Sequence, residues 1–225
     1  MSSNGTSRGY YDNMQLKWLI QLNDKQAHGL SREWYSNGKF KRECNYHYGE
    51  LHGLYREWDE AGQLVKEQNY VRGKLHGVQR HWYPNGQLCK KLNYHNGVEN
   101  GPQQYWWMNG RLQEEDPFLN GKRNGFNQRW YDNGQLHSER TYENGKMVGL
   151  YRSWHPNGQI AWEDSFKNGQ LHGPCKKWWT NGQLRREHHF EEGKRHGIDQ
   201  RWTENGEFIW ERNWNKGQRV ALDIN

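Results

Sequence analysis

Apolar residues recur along this chain with a period of 24, far longer than a helical turn or the alternation of one strand. The most regular of them are Trp34, Trp58, Trp82, Trp106, Trp130, Trp154, Trp178 and Trp202, which occur without exception. Six residues after each Trp stands Phe40, Leu64, Leu88, Leu112, Leu136, Ile160, Leu184 or Phe208. Six further on comes Tyr46, Tyr70, Tyr94, Phe118, Tyr142, Phe166, Phe190 or Trp214. Three glycine sets, headed by Gly29, Gly38 and Gly49, keep the same spacing and hold 24 of the 26 glycines. A fixed period in the range of roughly 20–50 residues marks a stack of like supersecondary units. Eight such units run from Gly29 to Val220.

Each unit is composed as two strands and two turns. In Leu54-Tyr55-Arg56-Glu57-Trp58, alternation places Leu54 and Trp58 on one face. The turn Tyr83-Pro84-Asn85-Gly86 follows in the next unit. A two-residue type I′ loop, which Asn-Gly favours, would set Trp82 and Leu88 on opposite faces. A three-residue loop, a type I turn followed by Gly in the left-handed region, returns them to one face. Pro84 and Pro156 suit the second position of that type I turn. The bulged loop is the favoured register, with the two-residue loop as its alternative.

Segments such as Trp-Tyr-Pro-Asn-Gly-Gln-Leu at 82–88 and Asn-Gly-Gln-Leu-His-Gly at 168–173 resemble MORN repeats, in the variant type common in bacteria and giant DNA viruses. The resemblance implies an all-β fold: an elongated, single-layer, twisted antiparallel meander in which each repeat is a β-hairpin. Strand spacing then separates successive Trp rungs by ~9.6 Å and makes eight units ~75–80 Å long. The eight Trp form a structural ladder, with Leu and Tyr of the intervening strands between its rungs. Residues 1–9 are expected to be a disordered tail and 10–28 a degenerate capping repeat, with Tyr10 at the Trp position and Met14 at the turn glycine. Residues 29–220 are the repeats and 221–225 a C-terminal tail.

Composition narrows the function. Leu, Ile, Val and Phe together supply 34 of 225 residues, a share below the roughly 20% under which chains tend to stay disordered. Yet 14 Trp and 13 Tyr are present, and disordered chains are poor in aromatics. Aromatics buried thinly over a long surface leave no place for a deep dry catalytic pocket. No catalytic residue, cofactor or metal is expected. Three cysteines without a CxxC pair argue against a disulfide framework and a zinc site. His28, His52, His76, His172 and His196 recur at one position, but a step of ~9.6 Å is too wide for one metal. Glu43, Glu67, Glu115, Glu139, Glu163, Glu187 and Glu211 share another position, expected on the face opposite the ladder as a solvated row. The polar start, without an apolar leader, suggests a cytoplasmic protein, or one of host cytoplasm, nucleus or virion if the source is viral.

The net charge is +6, from 32 basic and 26 acidic residues. Arg32, Arg56 and Arg80 are expected on the Trp face, facing Arg42, Lys66 and Lys90 across their hairpins. Like charges directly opposite destabilise a sheet, so these six form a candidate patch for an anionic partner. The alternative is that their stems lie over Trp rings as cation–π lids. The expected role is a non-enzymatic protein–protein interaction scaffold. Anionic lipid is the alternative partner, and nucleic acid is disfavoured because the rung spacing exceeds base stacking.

The C-terminal strand suggests self-association. Phe208-Ile209-Trp210-Glu211-Arg212-Asn213-Trp214 is the most aromatic strand in the chain, and Leu222 follows near its end. A terminal repeat facing water should be more polar than its siblings, and this one is less so. A homodimer joined through Phe208, Ile209, Trp210, Trp214 and Leu222 is expected, in agreement with the resemblance. The alternative is that 220–225 fold back as an internal cap.

Overall fold

The computed structural model describes residues 4–221. Among them every regular element is a β-strand, and neighbouring strands pair antiparallel. The chain divides into two compact units, Met1–Arg111 and Leu112–Asn225. Each is an open meander of hairpins.

In the first unit a representative repeat pairs Gln26–Trp34 with Phe40–His47, which then pairs with Glu50–Trp58. The two connections differ. At one end Gly38 N–H donates to the Tyr35 carbonyl and Tyr35 N–H to the Lys39 carbonyl, both at 2.9 Å. Gly38 has φ +84. This is the three-residue loop with Gly in the left-handed region, so Trp34 and Phe40 share a face and their rings stack at 5.6 Å. Phe40 in turn lies 5.7 Å from Trp58, which makes the ladder continuous between hairpins. At the other end His47 pairs with Glu50 across the two-residue loop Tyr48-Gly49. Both loop residues have positive φ, 47° and 83°, as a type I′ turn requires.

Neighbouring Trp-side turns are stapled together. Tyr11 Oη donates to the Trp34 carbonyl at 2.8 Å, Tyr35 Oη to that of Trp58 at 2.9 Å, and Tyr83 Oη to that of Trp106 at 2.8 Å. In the second unit Tyr131 Oη reaches the Trp154 carbonyl at 2.9 Å. The Trp position is thus fixed through its own backbone by the hairpin before it.

The expected disordered tail is corrected over residues 4–9, while residues 1–3 lie outside the described residues. Asn4–Tyr10 is a strand, paired in register with Leu16–Asn23. Gly5 lies 24 residues before Gly29, so the worn copy begins here as a full hairpin. Leu16, Ile20 and Leu22 give its second strand an apolar pattern whose edge would otherwise stay unpaired. Gly9 permits the pairing, since a Cβ there would sit 2.3 Å from the Trp18 indole nitrogen.

A second correction concerns the faces. Glu33 pairs with Arg42 and Trp34 with Phe40, so Lys41 is left between them as a bulge. Two residues then oppose one, and the strand beyond the bulge changes face. Glu43 therefore lies on the Trp face, and Tyr46 lies on the opposite one with Cys44. The same shift recurs at Trp58, Trp82, Trp130, Trp154, Trp178 and Trp202. Trp and Leu make the ladder, whereas the Tyr column belongs to the other face.

Packing is densest on that other face. Cys44, Gln79, Gln103, Asn127, Cys175 and Asp199 are fully buried there. The polar members have work to do. The bulge at each unit glycine breaks the ladder, and Gln79 restores it by accepting from Asn69 N–H at 2.9 Å and donating to the Gly77 carbonyl at 3.1 Å. Gln103 does the same with Asn93 N–H at 3.0 Å and the Asn93 carbonyl at 2.9 Å. An unsatisfied buried group costs about 1–3 kcal/mol, so an amide is worth more here than an aliphatic side chain of equal size.

Candidate functional site

The six cations of the expected anionic-partner patch are not gathered together. Arg32 Nε donates to Glu43 at 2.7 Å and Arg56 Nε to Glu67 at 3.0 Å, and Arg80 reaches the same Glu67 at 3.1 Å. These pairs lie on the Trp face, where the bulge has carried the Glu row. Arg42, Lys66 and Lys90 lie on the opposite face. There Arg42 pairs with Glu33, and Lys66 pairs with Glu57 at 3.0 Å. Cross-strand neighbours alternate in sign, Glu33–Arg42–Glu57–Lys66. Because the register differs by the bulged residue, Arg32 and Arg56 face Glu43 and Glu67 instead of Arg42 and Lys66, whereas Arg80 faces Lys91.

The same row in the second unit is built differently. Its cross-strand order is Trp162, Lys177, Arg186, Arg201, Trp210. Three cations meet directly on three successive strands, flanked by indoles. Lys177 Nζ lies 4.5 Å from the Trp162 ring centroid. Arg186 binds Asp199 through two hydrogen bonds, Nε at 2.8 Å and Nη2 at 2.7 Å. Its guanidinium is 5.7 Å from the Trp210 ring, whose face also takes Arg212 at 4.3 Å. Trp162, Lys177, Arg186 and Arg201, with Arg185 from the bulge, line a cleft of about 150 Å³.

The electrostatics of this row are legible in a buried neighbour. His188, paired across the sheet with Asp199, is pushed down to about 4 by burial first and then by Arg186. Nearby Cys175 is pushed up to about 12, by burial and then by the Asp164 carboxylate. Its thiol is fully buried and stays protonated, which leaves it inert.

The eight ladder Trp residues are all half-buried and belong to the packing already described. The recurrent histidines pack in the two-residue turns, with a partner the sequence pattern did not show: the His47 ring lies 5.1 Å from His28 and 5.6 Å from His52. Of the residues expected to join two copies, Phe208 and Ile209 are exposed by 57% and 46%. Trp210 and Trp214 lie on the face opposite the ladder, covered by Arg212 and, at 4.9 Å, by Arg195. Leu222 lies outside the described residues. Gln218–Val220 pairs with the terminal strand from Asn213 to Asn215.

A family model described as a MORN repeat variant matches six segments, residues 27–48, 51–72, 75–96, 126–144, 147–168 and 171–192. Together they span more than half of the chain. No curated protein matches it.

Proposed function

We propose that the chain, which belongs to the MORN repeat variant family, is a protein-binding scaffold that docks its partner on the Trp face of the second unit. One observation carries this reading. The residue after the unit glycine is apolar in four successive hairpins, Phe126, Leu150, Pro174 and Ile198, and all four are exposed. Phe126 is open by 49% and Leu150 by 41%. Successive members stand two strands apart, ~9.6 Å, as a file of apolar contacts flanked by polar positions. Exposed apolar patches rimmed by polar groups mark interaction surfaces. In the first unit the corresponding Leu30, Leu54 and Val78 are half-buried, and Pro102 is exposed.

The same face carries Glu139, Glu163 and Glu187, paired with Arg152 and Lys176. With these three carboxylates set against those two cations, the face offers no polybasic attraction to an anionic bilayer, so a protein partner fits it better than a lipid surface. The test compares the native chain with a Phe126→Asp, Leu150→Asp variant in cross-linking from source-cell lysate. A partner whose cross-links map to this face, retained at high salt and lost in the variant, is the expected result. Capture that the variant leaves unchanged, or cosedimentation with anionic vesicles that this variant abolishes, overturns the reading.

The scaffold also pairs with a second copy of itself, in this reading, through the outer edge of Phe208–Asn215. Gln218–Val220 covers only its last three residues, so the edge from Phe208 to Arg212 is open among the described residues. An open apolar edge invites another strand, and an isologous pair would set Phe208 and Ile209 against their copies. Light scattering after size exclusion tests it: a mass near the monomer value of 27.2 kDa at micromolar concentration rejects the dimer.

A further inference from the structure

The geometry points to an anion site in the second unit, on the face opposite the ladder, where Lys177, Arg186 and Arg201 receive a phosphate ester. The site is independent of the protein-docking surface, which lies on the other face.

The first ground is the row itself. Lys177 is directly opposite Arg186, and Arg186 directly opposite Arg201. Like charges in direct cross-strand register destabilise a sheet. Of the three, only Arg186 is ion-paired to a carboxylate, Asp199, among the described residues. The Lys177 head rests on the Trp162 ring, while Arg201 makes no ion pair among the described residues. In the first unit the same row alternates in charge from Glu33 to Lys66, whereas here three cations follow one another directly.

The second ground is the cleft of about 150 Å³ that these side chains and Arg185 enclose. At about 10–15 Å³ per water-sized position, it holds a polyatomic group with room for its hydration to be replaced. His188 behind it is held low by burial first, and Arg186 and Lys177 push in the same direction.

The chemistry of the ligand follows from what is already satisfied. Trp210 is contacted by Arg186 and Arg212 and Trp162 by Lys177, and although Trp162 stays 43% exposed, it is the three cations that line the cleft and select an anion. Arg186 has spent Nε and Nη2 on Asp199, which fixes its plane and leaves its other edge for the cleft. The three cations span two strand spacings, ~9.6 Å. A carboxylate offers two oxygens and one charge. A phosphate monoester offers three oxygens and a charge of about −1.5 to −2, and can bridge two of the strands. A diphosphate can reach all three.

Isothermal titration of the full chain with pyrophosphate, at constant ionic strength in chloride, tests the site. Saturable binding is expected, weakened at least tenfold in a Lys177→Gln, Arg201→Gln variant. Arg152→Gln, on the other face, should bind as the native chain does, and circular dichroism on each variant separates lost binding from lost fold. A parallel arm measures cosedimentation with phosphatidic acid vesicles. Pyrophosphate binding without cosedimentation assigns a soluble phosphate ester, and cosedimentation lost in the double variant assigns a lipid headgroup. No binding of either probe, or binding that the double variant leaves intact, overturns the proposal.

Discussion

The two units share one 24-residue pattern and differ in how a single cross-strand row is filled. In the first unit Glu33, Arg42, Glu57 and Lys66 neutralise one another strand by strand. In the second, Lys177, Arg186 and Arg201 confront one another between two indoles, with one buried carboxylate, Asp199, beneath. The backbone register is the same in both. A repeat fold therefore keeps its architecture through glycines, Trp and buried amides, while the positions between them are free to carry stabilising pairs or a ligand site.

The largest effect that separates the units should come from removing a carboxylate. Asp199→Ala leaves Arg186 without its partner beside two further cations. Breaking a buried pair costs about 3–5 kcal/mol, and Asp199 is only 1% exposed. Glu57→Ala in the first unit removes a partly exposed partner, for which about 1 kcal/mol or less is expected. Urea melts of both variants measure the difference, and equal losses would mean that the two rows are energetically alike.

Next in size is the ladder. Trp130→Ala, in the interior of the second unit, should cost about 2–4 kcal/mol, toward the lower range for aromatic truncation because the ring is half-buried. Trp202→Ala should cost less, since the neighbouring strand on its outer side is followed, among the described residues, only by Gln218–Val220. The same pair of melts checks this, and a larger loss at Trp202 contradicts nearest-neighbour stability.

How much of this was legible in the sequence depends on which symmetry one asks about. The period, the hairpins, the three-residue loop and the Trp ladder all follow from residues that repeat. The bulge does not. Its positions are Lys41, Val65, Cys89, His137, Ala161, Arg185 and Ile209, which share no chemistry, because an unpaired residue at a bulge is chosen by backbone geometry rather than by side chain. Missing it reverses the face of everything up to the next turn. For that reason the Glu row and the Arg42, Lys66 and Lys90 group were expected on the wrong sides, and Lys177, Arg186 and Arg201 did not stand out. The first hairpin, by contrast, had a signal: Gly5 keeps the period of Gly29 even though the Trp and turn glycine of that copy have been replaced.

A pH effect should also distinguish the units. His188 is held near 4, below its ordinary 6.5, so the unfolded chain binds a proton that the folded one refuses. Stability from this group is fully present above about pH 6.5 and is lost as pH falls toward 4, by at most about 3 kcal/mol. His137 in the same unit and His81 in the first are shifted down by burial and by neighbouring cations, with the same sign. Melting temperatures followed between pH 7 and pH 4 should fall, and the slope should flatten in His188→Gln. An unchanged slope would remove His188 as its source.

The smallest effect is the most discriminating because its sign differs between units. Arg42→Gln removes a cation that lies between Glu33 and Glu57, so the first unit should lose a few tenths of a kcal/mol to about 1 kcal/mol. Arg201→Gln removes a cation that faces Arg186 and has no carboxylate partner among the described residues. Relief of a like-charge cross-strand pair is worth about 0.2–1 kcal/mol, so this variant should be more stable than the native chain in phosphate-free buffer of low ionic strength. Added sodium chloride should shrink both differences, since each is an interaction between partly solvated charges. Paired denaturation curves at low and high salt read the sign directly. If Arg201→Gln destabilises as Arg42→Gln does, the row Lys177–Arg186–Arg201 is a stabilising packing feature, and the contrast between the two units loses its physical basis.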